Sequence, residues 1–176
     1  YALFNSGLTL NLFENRALAY DNGLEGLKAQ YKDRFIAATI LGGELYFLEP
    51  ATLTYPNPRK DNYSIRAANA MISPCKHFSI GGSFVWAKSI QQNFVGLDTI
   101  ISYIPELSTR IQLLGLDLFG SYVIKRTNIN SIDSSRGRAF YGSVSYIGQG
   151  YGVTVEYKDY RFDIVNPIQR SFAFRP

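Results

Sequence analysis

The chain is dominated by segments in which apolar and polar residues alternate. The clearest runs from Gly150 to Phe162, where Tyr151, Val153, Val155 and Tyr157 alternate with small or polar residues. Because successive side chains of a β-strand point to opposite faces, this pattern predicts a strand with one apolar and one polar face. Aromatic residues at both ends of the apolar face are typical of strands that cross an outer membrane within a closed barrel.

The same alternation recurs along most of the chain and predicts about eight strands, whereas no segment has helical periodicity and no repeat stands out. Several predicted strands reach the roughly 9 to 11 residues that a tilted strand needs to cross a bilayer. The predicted strands are Gly7–Phe13, Leu27–Tyr31, Phe35–Phe47, Tyr63–Ile72, His77–Ser89, Arg110–Arg126, Ala139–Ile147 and Tyr151–Lys158.

Glycine, proline and polar residues punctuate these segments and predict the connections. Gly42-Gly43 predicts a bend or bulge within its strand. Short turns mixed with longer loops are typical of the two rims of bacterial barrels. Two long loops flank Arg110–Arg126, so either one of them lies at the short-turn rim or a further strand lies inside Gln91–Ser108. The predicted short turns are Asp21–Gly23, Lys32–Asp33, Ser73–Lys76 and Gly148–Gly150, and the predicted loops are Leu48–Asp61, Gln91–Ser108 and Thr127–Gly137.

Composition is compatible with a single barrel domain over residues 1–176. Aromatic residues make up 15 %, including 13 Tyr, which suits rings that are apolar at one end and hydrated at the other. The net charge of +4 is too small and too dispersed to indicate a nucleic-acid partner. No run of about 18 apolar residues predicts a transmembrane helix, and the one cysteine, Cys75, excludes an intrachain disulfide framework.

Catalytic chemistry is not indicated by any motif. The one histidine, His77, stands at a predicted strand start beside a turn and is interpreted as a rim residue. The chain has no nucleophile elbow, zinc-protease motif, phosphate loop or Cys/His metal spacing, and Asp133-Ser134-Ser135 lacks the pattern of a calcium loop. We therefore predict a protein without enzymatic activity and without a metal or other cofactor.

Charged residues on the polar faces are predicted to face the lumen of a barrel. There they either line a pore or form salt bridges that fill a narrow interior. An eight-stranded barrel has room only for its own side chains, so filling is favoured in a small barrel and lining in a larger one. The predicted lumen-facing residues are Lys28, Lys32, Arg66, Asp117, Lys125, Glu156 and Lys158.

The apolar faces supply the predicted lipid-facing residues, with aromatic girdle positions at their ends. Aromatic residues are also common in the strands of ordinary soluble β-proteins. The predicted lipid-facing and girdle residues are Tyr63, Trp86, Leu114, Leu116, Leu118, Tyr122, Tyr151, Val153, Val155 and Tyr157.

Three strings, Tyr63–Ala70, Ile80–Val85 and Val155–Tyr160, carry a family resemblance. They resemble large uncharacterised outer-membrane β-barrel proteins of Gram-negative bacteria, over Gly7 to Asn166. The resemblance implies a β-barrel and no assigned activity. Such barrels usually end in a strand with a terminal aromatic that the assembly machinery reads, whereas this chain ends in proline. We therefore expect a sequence that stops inside a longer protein, or a chain that is not a complete barrel.

The sequence thus predicts an all-β fold, either an antiparallel up-and-down β-barrel of about eight strands or part of a larger transmembrane β-barrel. The first functional hypothesis is a structural or pore-like, porin-like barrel of the bacterial outer membrane. Its partner is the lipid bilayer, and an accessory role beside other envelope proteins stays open. The second is a soluble or periplasmic β-barrel that binds an apolar small ligand, with its apolar face turned inward as in lipocalin-like barrels.

Overall fold

The computed structural model describes residues 14–15, 20–49, 59–92 and 96–161, which form one antiparallel β-sheet. Nine strands follow in chain order, each hydrogen-bonded to the next as an up-and-down meander. The predicted all-β, antiparallel, up-and-down architecture is therefore confirmed, while the predicted strand Gly7–Phe13 lies outside the described residues. The strands are β1 Glu14–Asn15, β2 Tyr20–Lys32, β3 Ile36–Glu49, β4 Arg59–Cys75, β5 Phe78–Gln92, β6 Leu97–Leu113, β7 Leu116–Ile129, β8 Ile132–Ile147 and β9 Gly152–Arg161.

The sheet is open within the described residues. Its strand order runs from β1 to β9, and no described pairing joins β9 back to β1 or β2. Of the two predicted forms, part of a larger barrel is the one with which this open sheet agrees.

Four tight turns lie at the same end of the sheet, as the short-turn rim of a barrel requires. The turn predicted at Lys32–Asp33 is shifted by one residue, since Lys32 ends β2 and residues 33–35 form the turn; an oxygen of the Asp33 carboxylate accepts hydrogen bonds from the backbone N–H groups of Phe35 and Ile36, both at 2.7 Å. The predicted turn at Gly148–Gly150 is confirmed, with a φ of 87° at Gly150. The third turn is shifted from its predicted place, since residues 76–77 form it and Cys75 ends β4.

The prediction of one strand over Arg110–Arg126 is wrong, because a two-residue turn at Leu114 and Gly115 divides it between β6 and β7. Both turn residues have positive φ, 48° and 82°. A two-residue hairpin reverses the chain without needing a proline or a polar residue, so the apolar pattern continues across it. The predicted loop Gln91–Ser108 is also wrong, since it contains most of β6. This is the further strand that the sequence offered as the alternative to a long loop at the short-turn rim.

Pro105 explains why β6 escaped prediction, since proline inside an alternating run argues against a central strand. In the structure Pro105 pairs with Phe84 of β5, but the β6–β7 ladder passes from Tyr103 directly to Glu106. Proline has no N–H to donate to β7. The sheet accommodates it by leaving a short gap in that one ladder.

Two other predicted connections lie within strands. The predicted loop Thr127–Gly137 contains the end of β7, a turn at Asn130 and Ser131, and the start of β8. The predicted turn Asp21–Gly23 belongs to β2, where pairing with β3 outweighs the local turn preference of these residues. The predicted loop Leu48–Asp61 is described only at its ends, which extend β3 and β4.

Gly42-Gly43 forms no bulge, since the β2–β3 and β3–β4 registers run through it unbroken. A close backbone approach requires glycine there instead. A Cβ added to Gly43 would lie 2.2 Å from the carbonyl oxygen of Glu25, and one added to Gly26 would lie 2.3 Å from that of Gly42. Real Cβ atoms do not tolerate such distances, so β2 and β3 pair closely because both carry glycine.

The two faces of the sheet differ in burial. On one, which we call the packed face, Val85, Ile104 and Val123 are fully buried. Ile65, Ala87 and Ala139 on the same face are also almost fully buried. The other, which we call the exposed face, carries large apolar side chains in the open, including Ile40 at 61 % and Leu107 at 58 % exposure.

Candidate functional site

Strand register aligns the apolar side chains of the exposed face into transverse rows. On β7 these positions run from Leu116 to Ile124, and Arg126 follows. We call the exposed-face rows from the level of Leu116 to the level of Ile124 the apolar belt. Two of its rows are Phe78, Ile111, Leu118, Val144 and Val155, and Ala38, Ala70, Gly82, Leu107, Tyr122 and Phe140.

One edge of the apolar belt is marked by a row that combines arginine with aromatic residues. Pairing places these residues side by side on β4 to β8, and we call them the arginine row: Arg66, Trp86, Tyr103, Arg126 and Arg136. The Arg66 guanidinium lies 5.2 Å from the centroid of the Trp86 ring, a cation–π contact.

Arg66 does not share a face with the other predicted lumen-facing residues. Its neighbours Ile65 and Ala67 are 1 % and 6 % exposed on the packed face, so Arg66 lies on the exposed face. The alternation predicts the apolar side of β4 to be its lipid side, but this strand is apolar on the face that the sheet buries. The other predicted lumen residues occupy packed-face register positions: Lys28, Lys32, Asp117, Lys125, Glu156 and Lys158.

Near the tight turns, the packed face carries a cluster of paired charges. The Arg110 side chain donates from Nε to Asp117 at 2.9 Å and forms an ion pair with it, and Gln112 donates to the same carboxylate at 3.1 Å. On β9 the Lys158 ammonium lies 3.2 Å from the Glu156 carboxylate. These pairs flank a cavity of about 350 Å³. Both signs are present and matched, which suits an interior filled by salt bridges.

Tyr141 joins β8 to this cluster. Its hydroxyl donates to Glu156 at 3.0 Å, and its ring lies 5.7 Å from the Lys158 ammonium and 5.8 Å from the Phe119 ring. Hydrogen bonds to a charged acceptor are among the stronger ones in proteins. The polar side chains of β6 to β9 thus hold one another, rather than projecting as separate groups.

Further along the packed face, two charged residues are buried among apolar ones. The Glu106 carboxylate accepts hydrogen bonds from the hydroxyls of Ser83 at 2.8 Å and Ser121 at 2.6 Å. Lys125 is 1 % exposed, and its ammonium has no hydrogen-bond partner in the described part of the chain. Burying an ammonium without a partner costs free energy, so the Lys125 ammonium lowers the stability of the folded sheet.

The predicted lipid-facing and girdle residues fall into four groups. Leu114 and Tyr151 lie in turns, at 92 % and 62 % exposure, and not within strands. Tyr122 lies on the exposed face inside the apolar belt, between Leu107 and Phe140, and not at an edge of the belt. The side chain of Tyr63 lies outside the described residues. The remaining predicted residues share the exposed face: Trp86, Leu116, Leu118, Val153, Val155 and Tyr157.

Sequence reasoning missed most of the arginine row, because Tyr103 and Arg136 fell in predicted loops. A usable signal was present in both places. Ile101, Tyr103 and Leu107 alternate with Ser102 and Glu106, and Arg136 and Arg138 are spaced by two residues. Period-two spacing of this kind indicates a strand even where the residues are polar.

His77 lies in the β4–β5 turn, where its Nδ1 is 2.9 Å from the carbonyl oxygen of Gln112. Within residues 14–15, 20–49, 59–92 and 96–161, no three His, Cys, Asp or Glu side chains are grouped to hold a metal ion. The same residues contain no helix that is long and apolar enough to cross a membrane.

A protein-family model matches residues 1–166 of the 176-residue chain. The chain belongs to the family of unknown function DUF6029. No curated protein and no solved structure matches this DUF6029 chain significantly. The two faces of the sheet therefore carry the functional information for the DUF6029 chain.

Proposed function

We propose that this chain forms part of a transmembrane β-barrel of the bacterial outer membrane, with no enzymatic activity. The exposed face contacts lipid and the packed face is turned to the barrel interior. The observation that carries the proposal is the apolar belt, bounded by the arginine row on one side and by the tight turns on the other. Contiguous exposed apolar patches of such extent are rare on soluble monomers and mark interaction or membrane surfaces.

The height of the apolar belt supports this proposal. Leu116 and Arg126 of β7 are ten residues apart, which is about 34 Å of strand at about 3.4 Å per residue. A strand tilt of about 35–45° reduces this to roughly 24–28 Å along the membrane normal. The apolar band of outer-membrane barrels is about 25 Å tall, so the belt matches a bilayer in height.

The edges of the belt support the same orientation. Trp and Tyr are enriched at both membrane–water interfaces, and arginine extends its charge to water while its stem contacts apolar surface. Trp86, Tyr103 and Arg126 share one level, and Tyr146 and Tyr151 lie near the opposite edge, with ring centroids 5.9 Å apart. Both edges of the belt thus carry residue types that are typical of a membrane–water interface.

Membrane insertion also requires partners for the two sheet edges. In lipid every backbone polar group must be satisfied within the protein, so an open strand edge does not persist there. The outer edge of β9 and the edge beside β2 are then covered by strands beyond the described sheet. This requirement favours part of a larger barrel over a closed barrel made of the described strands alone.

The packed face favours a structural or weakly conducting barrel. Near Asp117 and Glu156 each carboxylate is paired with a cation, so neither sign of charge is in excess there. Lys28, Lys32 and Lys125 add positive charge to the same face, which would raise the local concentration of anions if water fills the lumen. Planar-bilayer recordings should show either no conductance or a weak anion preference, and clear cation selectivity would contradict an interior position for this face.

Fractionation of cells that express the full-length protein tests the membrane proposal. We expect the protein to stay with the outer membrane after an alkaline carbonate wash and to be released by detergent. Release by buffer alone would contradict the proposal. Co-purification with other envelope proteins from the detergent extract would indicate an accessory role in a larger complex.

A soluble or periplasmic barrel that binds an apolar small ligand is the second candidate. The observation that favours it is the apolar cluster on the packed face, where Ile65, Val85 and Ile104 are almost fully buried. Such a protein would leave the apolar belt in water. It would remain monodisperse without detergent and bind apolar dyes, which is the outcome that would select this candidate.

A further inference from the structure

We propose that a groove on the exposed face, at the gap in the β6–β7 ladder, binds one anionic, phosphate-bearing lipid molecule. Its phosphate would meet Arg126, and one acyl chain would lie against Pro105. This inference rests on the proposed membrane position and adds a specific lipid site to it. The groove has a volume of about 480 Å³ and is lined by Phe84, Tyr103, Pro105, Ile124, Arg126 and Asn128.

The groove arises from the sequence of β6. Tyr103 pairs with Arg126 and Glu106 pairs with Val123, while Ile104 and Pro105 have no described partner on β7. Because proline offers no N–H toward β7, the two strands are not held together at this point. A cavity of this size is within the range of ligand-binding sites, which is roughly 300–1,000 Å³.

The lining of the groove changes from apolar to polar along the membrane normal. Phe84, Pro105 and Ile124 belong to the last row of the apolar belt, and Tyr103 and Arg126 belong to the arginine row. One end is therefore apolar and the other can donate hydrogen bonds. This is the polarity of a lipid lying parallel to the strands, with its chain in the belt and its headgroup at the edge.

The charge at the polar end calls for an anion. Arg126 lies directly opposite Arg136 in the β7–β8 ladder, so two basic side chains share this level. Asp133 lies opposite Asn128 in the same ladder, but no hydrogen bond or ion pair joins Arg126 to a carboxylate within the described residues. A phosphate oxygen pair would accept two hydrogen bonds from the Arg126 guanidinium.

Trp86 provides a local probe of the groove. It is the one tryptophan of the chain and pairs directly with Tyr103, which lines the groove. The full-length protein, with every tryptophan other than Trp86 replaced by phenylalanine, is inserted into phosphatidylcholine vesicles that contain a minor fraction of lipid with brominated chains. The headgroup of that lipid is phosphatidylglycerol in one set and phosphatidylcholine in the other. Bromine quenches tryptophan fluorescence only at short range, so the excess quenching by phosphatidylglycerol measures its enrichment at the groove.

We expect brominated phosphatidylglycerol to quench Trp86 more strongly than the same fraction of brominated phosphatidylcholine. Arg126→Gln should reduce the relative affinity for phosphatidylglycerol by about fivefold, the effect of one basic residue at an anionic membrane surface. Arg126→Lys should retain part of the preference, because it keeps the charge and loses the planar fork. Quenching by brominated phosphatidylcholine should be equal in all variants, which verifies that each is inserted.

Lys88→Gln is the matched control. Lys88 is a cation on the same face, one row beyond the arginine row, where it pairs with Ser64 and Ile101. Its replacement should leave the preference unchanged. Equal quenching by both headgroups, or an equal loss in Lys88→Gln and Arg126→Gln, would overturn the lipid site while leaving the membrane position standing. Absence of quenching by either brominated lipid would overturn the membrane position and the site together.

Discussion

Leu107→Arg tests the membrane position of the exposed face with a single side chain. Leu107 is 58 % exposed on β6, six residues from Leu113 at one edge of the apolar belt and four from Tyr103 at the other. At about 3.4 Å per residue and a tilt near 40°, it lies roughly 15 Å and 10 Å from the two edges. It is therefore close to the bilayer midplane.

An arginine at the midplane of a lipid-facing strand costs about 2–4 kcal/mol, which is roughly a 30- to 700-fold shift in the folding equilibrium. In water the same exposed substitution would change the free energy of unfolding by no more than about 0.5 kcal/mol. The assay is urea-induced unfolding of the protein from lipid vesicles, followed by Trp86 fluorescence and by the heat-dependent gel mobility typical of barrels.

Ile101→Arg is the matched control for this experiment. Ile101 lies on the same strand and the same face, beyond the arginine row and beside Lys88 and Asn128. Near the interface the cost of arginine falls to about 0–1 kcal/mol. If Leu107→Arg is no more destabilising than Ile101→Arg, the exposed face does not contact the hydrocarbon core and the reasoning is refuted.

Three further substitutions test the packing described above. Gly43→Ala should destabilise the sheet by about 1–3 kcal/mol through the clash with the carbonyl oxygen of Glu25, whereas Gly42→Ala, whose Cβ would meet nothing closer than 3.7 Å, should be tolerated; equal urea midpoints for the two would contradict the close approach. Lys125→Met should raise the free energy of unfolding by at least about 1 kcal/mol, since it removes a buried unpaired ammonium, and a fall would reveal a partner for that ammonium. Backbone hydrogen bonds from Ile36 and then Phe35 hold the pKa of Asp33 below its ordinary value of 3.8. The resulting stabilisation is complete above that value and is lost as the pH falls through the folded-state pKa. Asp33→Ala should therefore lower the urea midpoint at neutral pH, and the difference should shrink in acid; a difference that does not change with pH would contradict this origin.

Strand alternation predicted most of the sheet because the exposed face is apolar along its whole width. The strands β5, β8 and β9 were identified where the pattern is regular, as at Val153 and Val155. The failure at Leu114-Gly115 has a clear physical cause. This turn depends on positive φ rather than on a polar run, and a two-residue hairpin of this kind leaves no interruption that a pattern search can detect.

The faces were harder to predict than the strands. On β4 both faces carry enough apolar residues to be predicted as the lipid side. Only the burial of Ile65 shows that Arg66 lies on the exposed face. Pairing across four strands brings Arg66, Trp86 and Arg126 to one level, and register between distant strands is not encoded in local spacing. The groove at Pro105 depends on the same register, so the sequence shows the proline but not the gap beside it.

The most direct test of the account is a spin-label scan along β7 in lipid vesicles, after replacement of Cys75. Labels at positions 118, 122 and 124 on the exposed face should collide freely with oxygen, which concentrates in the hydrocarbon core, and labels at 117, 121 and 123 on the packed face should not. The period-two pattern should end at Arg126, where collisions with a water-soluble nickel complex rise. An alternation of opposite phase, or access of the nickel complex to 118, 122 and 124, would contradict a lipid-facing exposed face.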